Sequence, residues 1–348
     1  MKRILFCIMA AVVVLTTACE KDDMIGQKQM IITTENFGRV VLLMAGSGTM
    51  TIDWGDGTEI ETHTLSAFDG YWYASVPPFG YPPFYSKGKD KYLYYNDYSA
   101  TSVRTITITG ENITHLGLGE KWDWRHQLTK LNVSRNVALT YLKCCVTQLK
   151  DLDVSRNVAL TYLECGGNQL TNLDVSRNVA LNYLECESNQ LTNLDVSKNT
   201  ELEWLSCSRN QLSSLDMTNN TALKMLVCDN NQLSSLDVSK NAELIFLSCG
   251  SNQLTNLDVS KNTELESLYC SMNKLMNLDV GGTASLRILN IFSNQLSTNA
   301  LNNIFGMLNS NNIDDYKTIN ITDNPGTDDC NRSIAEKKGW IVRDKNDS

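Results

Sequence analysis

The strongest constraint on this chain is one stretch of sequence repeated about every 21 residues from Leu131 to about Thr298. The copy at Leu152–Asn172 reads LDVSRNVALTYLECGGNQLTN, and the copy at Leu173–Asn193 reads LDVSRNVALNYLECESNQLTN. The frame restarts at Leu194, Leu215, Leu236, Leu257 and Leu278 without an insertion. Within a copy, Tyr162-Leu163-Glu164-Cys165-Gly166 alternates outward and inward residues, the period of a half-buried strand. One such coil cannot bury its own apolar face. Coils must therefore stack and share a continuous core, and each fixed position becomes a ladder.

Each copy carries L-x-x-L-x-C-x-x-N-x-L, as at Leu160, Leu163, Cys165, Asn168 and Leu170. This resembles the leucine-rich repeat consensus with cysteine in the third apolar slot. The resemblance implies an α/β-type, mostly β, right-handed solenoid with a parallel sheet on its concave side. Asn168, Asn189, Asn210, Asn231, Asn252, Asn273 and Asn294 stand where the strand turns, and their amides suit backbone groups that the turn leaves unpaired. A second ladder, Asn157, Asn178, Asn199, Asn220, Asn241 and Asn262, marks the return turn. Thr147 replaces the first Asn and Ile291 the last Cys, irregularities that suit terminal repeats.

Cys144, Cys165, Cys186, Cys207, Cys228, Cys249 and Cys270 recur once per coil. Zinc sites need clustered pairs, so this spacing offers no metal centre. Parallel neighbours lie close enough for disulfides, but side chains in register point the same way and their Cβ vectors do not converge. We read the ladder as free core thiols, with Cys145 facing outward as the reactive one. Asp153, Asp174, Asp195, Asp216, Asp237, Asp258 and Asp279 form a carboxylate ladder, expected to accept backbone N–H bonds or meet Lys and Arg of a neighbouring turn.

Positions that vary among the copies mark the outward side of the strands. Just before the strand leucine come Tyr141, Tyr162, Tyr183, Trp204, Met225, Phe246, Ser267 and Ile288; just after it come Lys143, Glu164, Glu185, Ser206, Val227, Ser248, Tyr269 and Asn290. The candidate ligand-binding residues are Tyr141, Tyr162, Tyr183, Trp204, Phe246 and Tyr269, flanked by the acidic Glu164, Glu185 and Glu187. Contiguous exposed aromatics point to an interaction surface. Aromatic stacking that only stabilises neighbouring strands is the competing reading.

Upstream, Met1-Lys2-Arg3, the apolar run Ile4–Leu15 and Thr16-Thr17-Ala18-Cys19 read as a secretory signal too short to span a membrane. Ala18-Cys19 resembles a bacterial lipobox, and Glu20-Lys21-Asp22-Asp23 resembles the acidic export tag of Bacteroidetes-type surface lipoproteins. The resemblance implies lipidation of Cys19 and an outer-membrane, cell-surface location. Removing residues 1–18 takes the formal charge from −9 to −11, which argues against a nucleic-acid partner.

Residues 30–112 read as a small antiparallel β-sandwich, with strands over Arg39–Met44 and Thr49–Trp54 joined by a turn at Gly46-Ser47-Gly48, and another over Val103–Thr109. Ile52-Asp53-Trp54-Gly55-Asp56-Gly57-Thr58 resembles the signature of PKD-type modules, and its aspartates read as turn residues. An insertion at 68–98 holds Tyr71, Trp72, Tyr73, Phe79, Tyr81, Phe84 and Tyr85 with prolines at 77, 78, 82 and 83. It offers either an aromatic surface for sugar rings or packing over the sandwich and the first repeat. Ile113-x-x-Leu116-x-Leu118 reads as a degenerate first repeat, which Trp122, Trp124 and His126 cover.

The expected organisation is thus a signal at 1–18, a tether at 19–29, the sandwich at 30–112, the solenoid at 113–298 and an α/β cap at 299–348. The cap is read as a helix over Asn299–Leu308, a strand over Tyr316–Thr322, a helix over Asp329–Lys338 and a strand over Trp340–Val342. With no G-x-S-x-G, H-E-x-x-H or phosphate loop in the chain, no catalysis, cofactor or metal is expected. The function expected is monomeric, surface-anchored recognition of a protein or peptide on the concave face, with glycan capture by the insertion as the alternative.

Overall fold

The computed structural model describes residues 28–35, 38–68, 92–99, 102–118, 128–310 and 316–344. The signal, Cys19, the tether, the insertion aromatics from Tyr71 to Tyr85, and Trp122, Trp124 and His126 lie outside the described residues.

The repeats form the strands expected of them. β7 (Tyr141–Lys143), β8 (Tyr162–Glu164), β9 (Tyr183–Glu185), β10 (Trp204–Ser206), β11 (Met225–Val227), β12 (Phe246–Ser248), β14 (Ser267–Tyr269) and β16 (Ile288–Asn290) pair in parallel and in register. Tyr162 thus lies opposite Tyr183, and Glu164 opposite Glu185. The solenoid is mostly β, with about nine turns. A second, two-stranded parallel sheet joins β13 (Asn256–Asp258) to β15 (Asn277–Asp279) at the Leu-Asp-Val frame.

The core is built from the fixed positions. Leu160, Leu163, Cys165, Leu170 and Val175 are wholly buried, and so are their equivalents in most other coils. The ladder cysteines are free and wholly buried, so the thiols fill the narrow core as small apolar groups. Each ladder Asn closes its turn. Asn210 Nδ2 donates to the carbonyls of Cys186 and Cys207 at 3.0 Å each, and its Oδ1 accepts from Leu191 N at 3.0 Å. At the return turn, Asn199 Nδ2 donates to Val175 O at 3.1 Å and Asn178 O at 2.8 Å. The outer aspartates hold their own turns, as Asp195 Oδ1 does by accepting from Ser197 N at 2.9 Å.

The N-terminal module joins the solenoid without a break. β1 (Gln29–Thr34), β2 (Gly38–Asp53), β3 (Glu61–Thr64), β4 (Leu93–Tyr98), β5 (Arg104–Leu118) and β6 (Leu128–Asn132) belong to the same hydrogen-bonded sheet as the coils. β5 pairs with β1 and β2 antiparallel, then continues to pair with β7 in parallel, setting His115 opposite Tyr141. The boundary drawn at 112/113 therefore falls inside one strand, and residues 113–118 do serve as the first coil's strand.

Two details differ from the sequence reading. The segment read as two strands with a Gly46-Ser47-Gly48 turn is one strand, β2, with a register shift there. Gly46 serves close approach: a Cβ there would sit 2.0 Å from Asn112 O. The segment read as insertion up to Tyr98 ends earlier, because Leu93–Tyr98 is a strand paired with β2. The Asp-Gly turn behaves as read, with Asp53 Oδ1 accepting from Gly55 N at 2.9 Å and Asp56 Oδ1 from Thr58 N at 3.0 Å.

At the other end, α1 (Thr298–Met307) is capped by Ser297, whose Oγ accepts from Ala300 N at 3.3 Å. Its Leu301, Ile304 and Phe305 are buried. β17 (Lys317–Asn320) and β18 (Trp340–Arg343) extend the parallel sheet, and the second helix shrinks to one turn, α2 (Ser333–Glu336). These elements cover the open end of the core.

Candidate functional site

Because side chains alternate along each short strand, every coil sends one residue before its leucine, one after it and one beyond the cysteine to the same face. Three columns result. The first runs Tyr141, Tyr162, Tyr183, Trp204, Met225, Phe246; the second Lys143, Glu164, Glu185, Ser206, Val227, Ser248; the third Cys145, Gly166, Glu187, Ser208, Asp229, Gly250.

The first column is a continuous stack as far as Trp204. Ring centroids lie 5.6 Å apart for His115–Tyr141, 4.3 Å for Tyr141–Tyr162, 4.2 Å for Tyr162–Tyr183 and 5.3 Å for Tyr183–Trp204, with interplanar angles of 9° to 21°. Phe68 extends it, 5.0 Å from His115 and 5.5 Å from Tyr92. Phe68 therefore packs on the first coil's strand, and Tyr92 packs on Phe68. Ring faces are used up by neighbouring coils, so the face presents ring edges, while the Tyr162 and Tyr183 hydroxyls turn to Glu164 and Glu185 and Trp204 Nε1 is buried. Tyr141 is only 4% exposed and Met225 is buried, whereas Tyr162, Tyr183, Trp204, Phe246 and Tyr269 are half-buried. Phe246 and Tyr269 make a separate pair at 5.4 Å.

The second and third columns hold the charge. Glu164 is 8% exposed; it pairs with the Lys143 ammonium and accepts from Tyr162 OH at 2.9 Å. Glu185 accepts from Tyr183 OH at 3.0 Å. Burial first, then the neighbouring Glu164 and Glu187, push the Glu185 carboxyl above the usual carboxylate range. Burial likewise raises Glu187, which accepts from Ser206 Oγ at 3.4 Å. Asp229 is also raised by burial, although Ser248 Oγ at 2.7 Å and Gly250 N at 2.8 Å both donate to it.

Cys145 faces this side, half-buried, as alternation requires, but its surroundings oppose the reactivity expected of its thiol. Its Sγ lies 3.4 Å from Glu164 Oε1, and burial followed by the Glu164 charge pushes the thiol far up. Alternation sets direction; the long neighbouring side chains decide cover. Cys145, Glu164 and Glu185 each bring a donor atom within 4.8 Å of the others. The Lys143 ammonium already supplies the cation there, so the donor set is an internal ion-pair cluster.

On the Leu-Asp-Val edge, a shallow groove of about 390 Å³ is lined by Asp237, Asp258 and Asp279 among others. Each of these carboxylates accepts the backbone N–H two residues on. They are turn residues.

The functional domain of InlJ from Listeria monocytogenes, which includes a cysteine ladder, matches with a TM-score of 0.56 and 33% identity over 69% of this chain and 50% of its own length. The leucine-rich repeat ectodomain of the receptor kinase GASSHO1/SCHENGEN3 from Arabidopsis thaliana matches with a TM-score of 0.53 and 21% identity over 67% of this chain and 30% of that one. The fold is a leucine-rich repeat solenoid. The plant peptide hormone receptor RGFR1, solved with RGF2, shares that fold at 20% identity and a TM-score of 0.50, over 61% of this chain and 36% of the receptor. This leucine-rich repeat chain thus spans half or less of the length of these neighbours. No family model matches it, and no curated protein matches it.

Proposed function

We propose that this leucine-rich repeat protein is a non-catalytic binder that recognises a protein or peptide on its concave sheet, held at the surface of a bacterial outer membrane by lipid on Cys19. One observation carries the reading. Tyr162, Tyr183 and Trp204 form a rigid, half-buried aromatic row with the Glu185 and Glu187 carboxylates beside it, on the face whose residues vary from coil to coil. Pre-stacked rings lose little conformational freedom when a partner docks, and partly exposed Trp and Tyr are the residue types that anchor interfaces.

The test is to probe an array of extracellular proteins and polysaccharides with the purified protein and its Trp204→Ala variant. Protein hits that disappear in the variant are the expected result. Polysaccharide hits indifferent to Trp204→Ala would move binding to the insertion at 68–98 and overturn the proposal.

A further inference from the structure

The cysteine and asparagine ladders act on the same backbone. Every ladder cysteine is free and wholly buried, and one turn amide spans each neighbouring pair. Asn168 Nδ2 donates to Cys144 O at 2.8 Å and Cys165 O at 3.0 Å, and Asn189 Nδ2 donates to Cys165 O and Cys186 O at 3.1 Å each. Asn252 Nδ2 does the same for Cys228 O at 3.0 Å and Cys249 O at 3.1 Å. The cysteine N–H groups are held too, Cys165 N donating to Glu185 O and Cys186 N to Ser206 O at 2.8 Å each. The strands just before these two cysteines pair in parallel and in register, so Cys165 and Cys186 enter the core side by side.

That arrangement opposes a disulfide. The bond needs Cβ atoms about 3.5–4.5 Å apart and a Cβ–S–S–Cβ dihedral near about 90°. Side chains leaving neighbouring parallel strands about 4.8 Å apart do not converge on it unless one backbone swings. Swinging either cysteine breaks the amide bridge and the N–H bond in a core that excludes water. Closed coils also keep any dissolved oxidant away from the thiols. An opened coil does neither. Because each coil touches only its neighbours, opening frees a few cysteines at a time. Among ladder pairs, those one repeat apart close the shortest loop, which costs least in chain entropy.

We propose that the cysteine ladder is a redox lock on the solenoid: closed coils hold it reduced, and a coil that opens before a small dissolved disulfide is trapped open by a bond between cysteines one repeat apart, such as Cys165 and Cys186. The step is thiol–disulfide exchange. With glutathione disulfide, the Cys165 thiolate attacks one sulfur, expels a glutathione thiolate and leaves a mixed disulfide. The Cys186 thiolate then attacks the Cys165 sulfur and expels the second glutathione. The protein thiols give up two protons and two electrons, and the reagent takes them up as two thiols. The bonded pair does not fit beneath its Asn189 bridge, so the coil recloses only after a reductant has acted.

The test uses the full chain and its Cys7→Ser/Cys19→Ser/Cys145→Ser/Cys330→Ser variant, which keeps the ladder cysteines alone. One sample stays folded in buffer with glutathione disulfide. A second is opened in urea with the same reagent and then diluted, and a third is opened in urea with reduced glutathione and diluted. In both proteins the folded sample is expected to keep every ladder thiol, and the third to recover its tryptophan fluorescence. The second recovers less than about a tenth of it, carries intrachain disulfides between ladder cysteines one repeat apart by mass spectrometry, and refolds once dithiothreitol is added. Full refolding of the second sample with its disulfides intact would show that closed coils accommodate the bond and overturn the proposal. Disulfides joining separate chains, or ladder cysteines without regard to repeat spacing, would overturn it as well. The folded sample is read without a refolding step, so ladder disulfides found there in folded protein refute the lock even if urea opening is irreversible.

Discussion

Replacing Asn210 with Ala tests whether the turn ladder, rather than leucine packing alone, holds the coils in register. The amide donates to two buried carbonyls, Cys186 O and Cys207 O, and accepts from Leu191 N, each at 3.0 Å. Truncation orphans the buried Leu191 N, whereas Cys186 O and Cys207 O each lose one of two donors and keep the Asn189 and Asn231 amides at 3.1 Å. At roughly 1–3 kcal/mol for the one buried N–H left unpaired and about 0.5–1 kcal/mol for each of the two shared carbonyl bonds, the loss is about 2–5 kcal/mol. Asp195→Ala is the control, since its turn bond to Ser197 N is exposed to water and its loss moves the midpoint far less. Urea unfolding measures both changes. Because each coil touches only its neighbours, native-state hydrogen exchange adds a location: amides from Leu191 to about Leu212 exchange first in Asn210→Ala. A loss below 1 kcal/mol, or exchange that rises evenly along the solenoid, would refute the assignment of register to the ladder.

Two further outcomes follow from the concave and core chemistry. Glu185 faces Tyr183 on its own strand, Glu164, Lys143 and Cys145 from the preceding coils, and Glu187, and its folded-state pKa is raised. A raised carboxyl gives stability that is complete below its unfolded value and lost as pH rises through its folded value. Glu185→Gln therefore gains stability relative to the parent as pH climbs from 5 to 9, measured by urea midpoints; an unchanged difference across that range would contradict the cluster. Buried thiols pushed up in pKa, Cys207 to about 12 and Cys144 to about 12 among them, do not react with a disulfide reagent at pH 8 in the folded protein. Among the described residues, the half-buried Cys330 reacts first; rapid labelling of Cys145 would show that Glu164 does not cover it.

The solenoid was legible because its repeat writes the same physical problem many times. Every coil has a turn whose buried backbone groups need a partner, and Asn is the residue that supplies donor and acceptor together, so the ladder reads directly as structure. The three outward columns also follow from alternation. What alternation cannot supply is cover. Tyr141 points outward, yet the adjoining rings close over it, and the half-buried Cys145 has the Glu164 carboxylate against its sulfur; only the packed side chains reveal either. The Gly46-Ser47-Gly48 segment misled for a similar reason, since glycine serves a tight turn and a close strand crossing equally well. The Glu185–Glu187 cluster was visible as acidic residues, but its proximity depends on Gly166, a position that looks unremarkable in sequence.

The most direct measurement is hydrogen exchange on the complex with a partner captured from the array. The account predicts slowed exchange in peptides spanning Tyr162–Gly166, Tyr183–Glu187 and Trp204–Ser208, with the Leu-Asp-Val edge at Asp174, Asp195 and Asp216 unchanged. Protection confined to that outer edge, or to residues 68–98, would contradict recognition on the concave sheet.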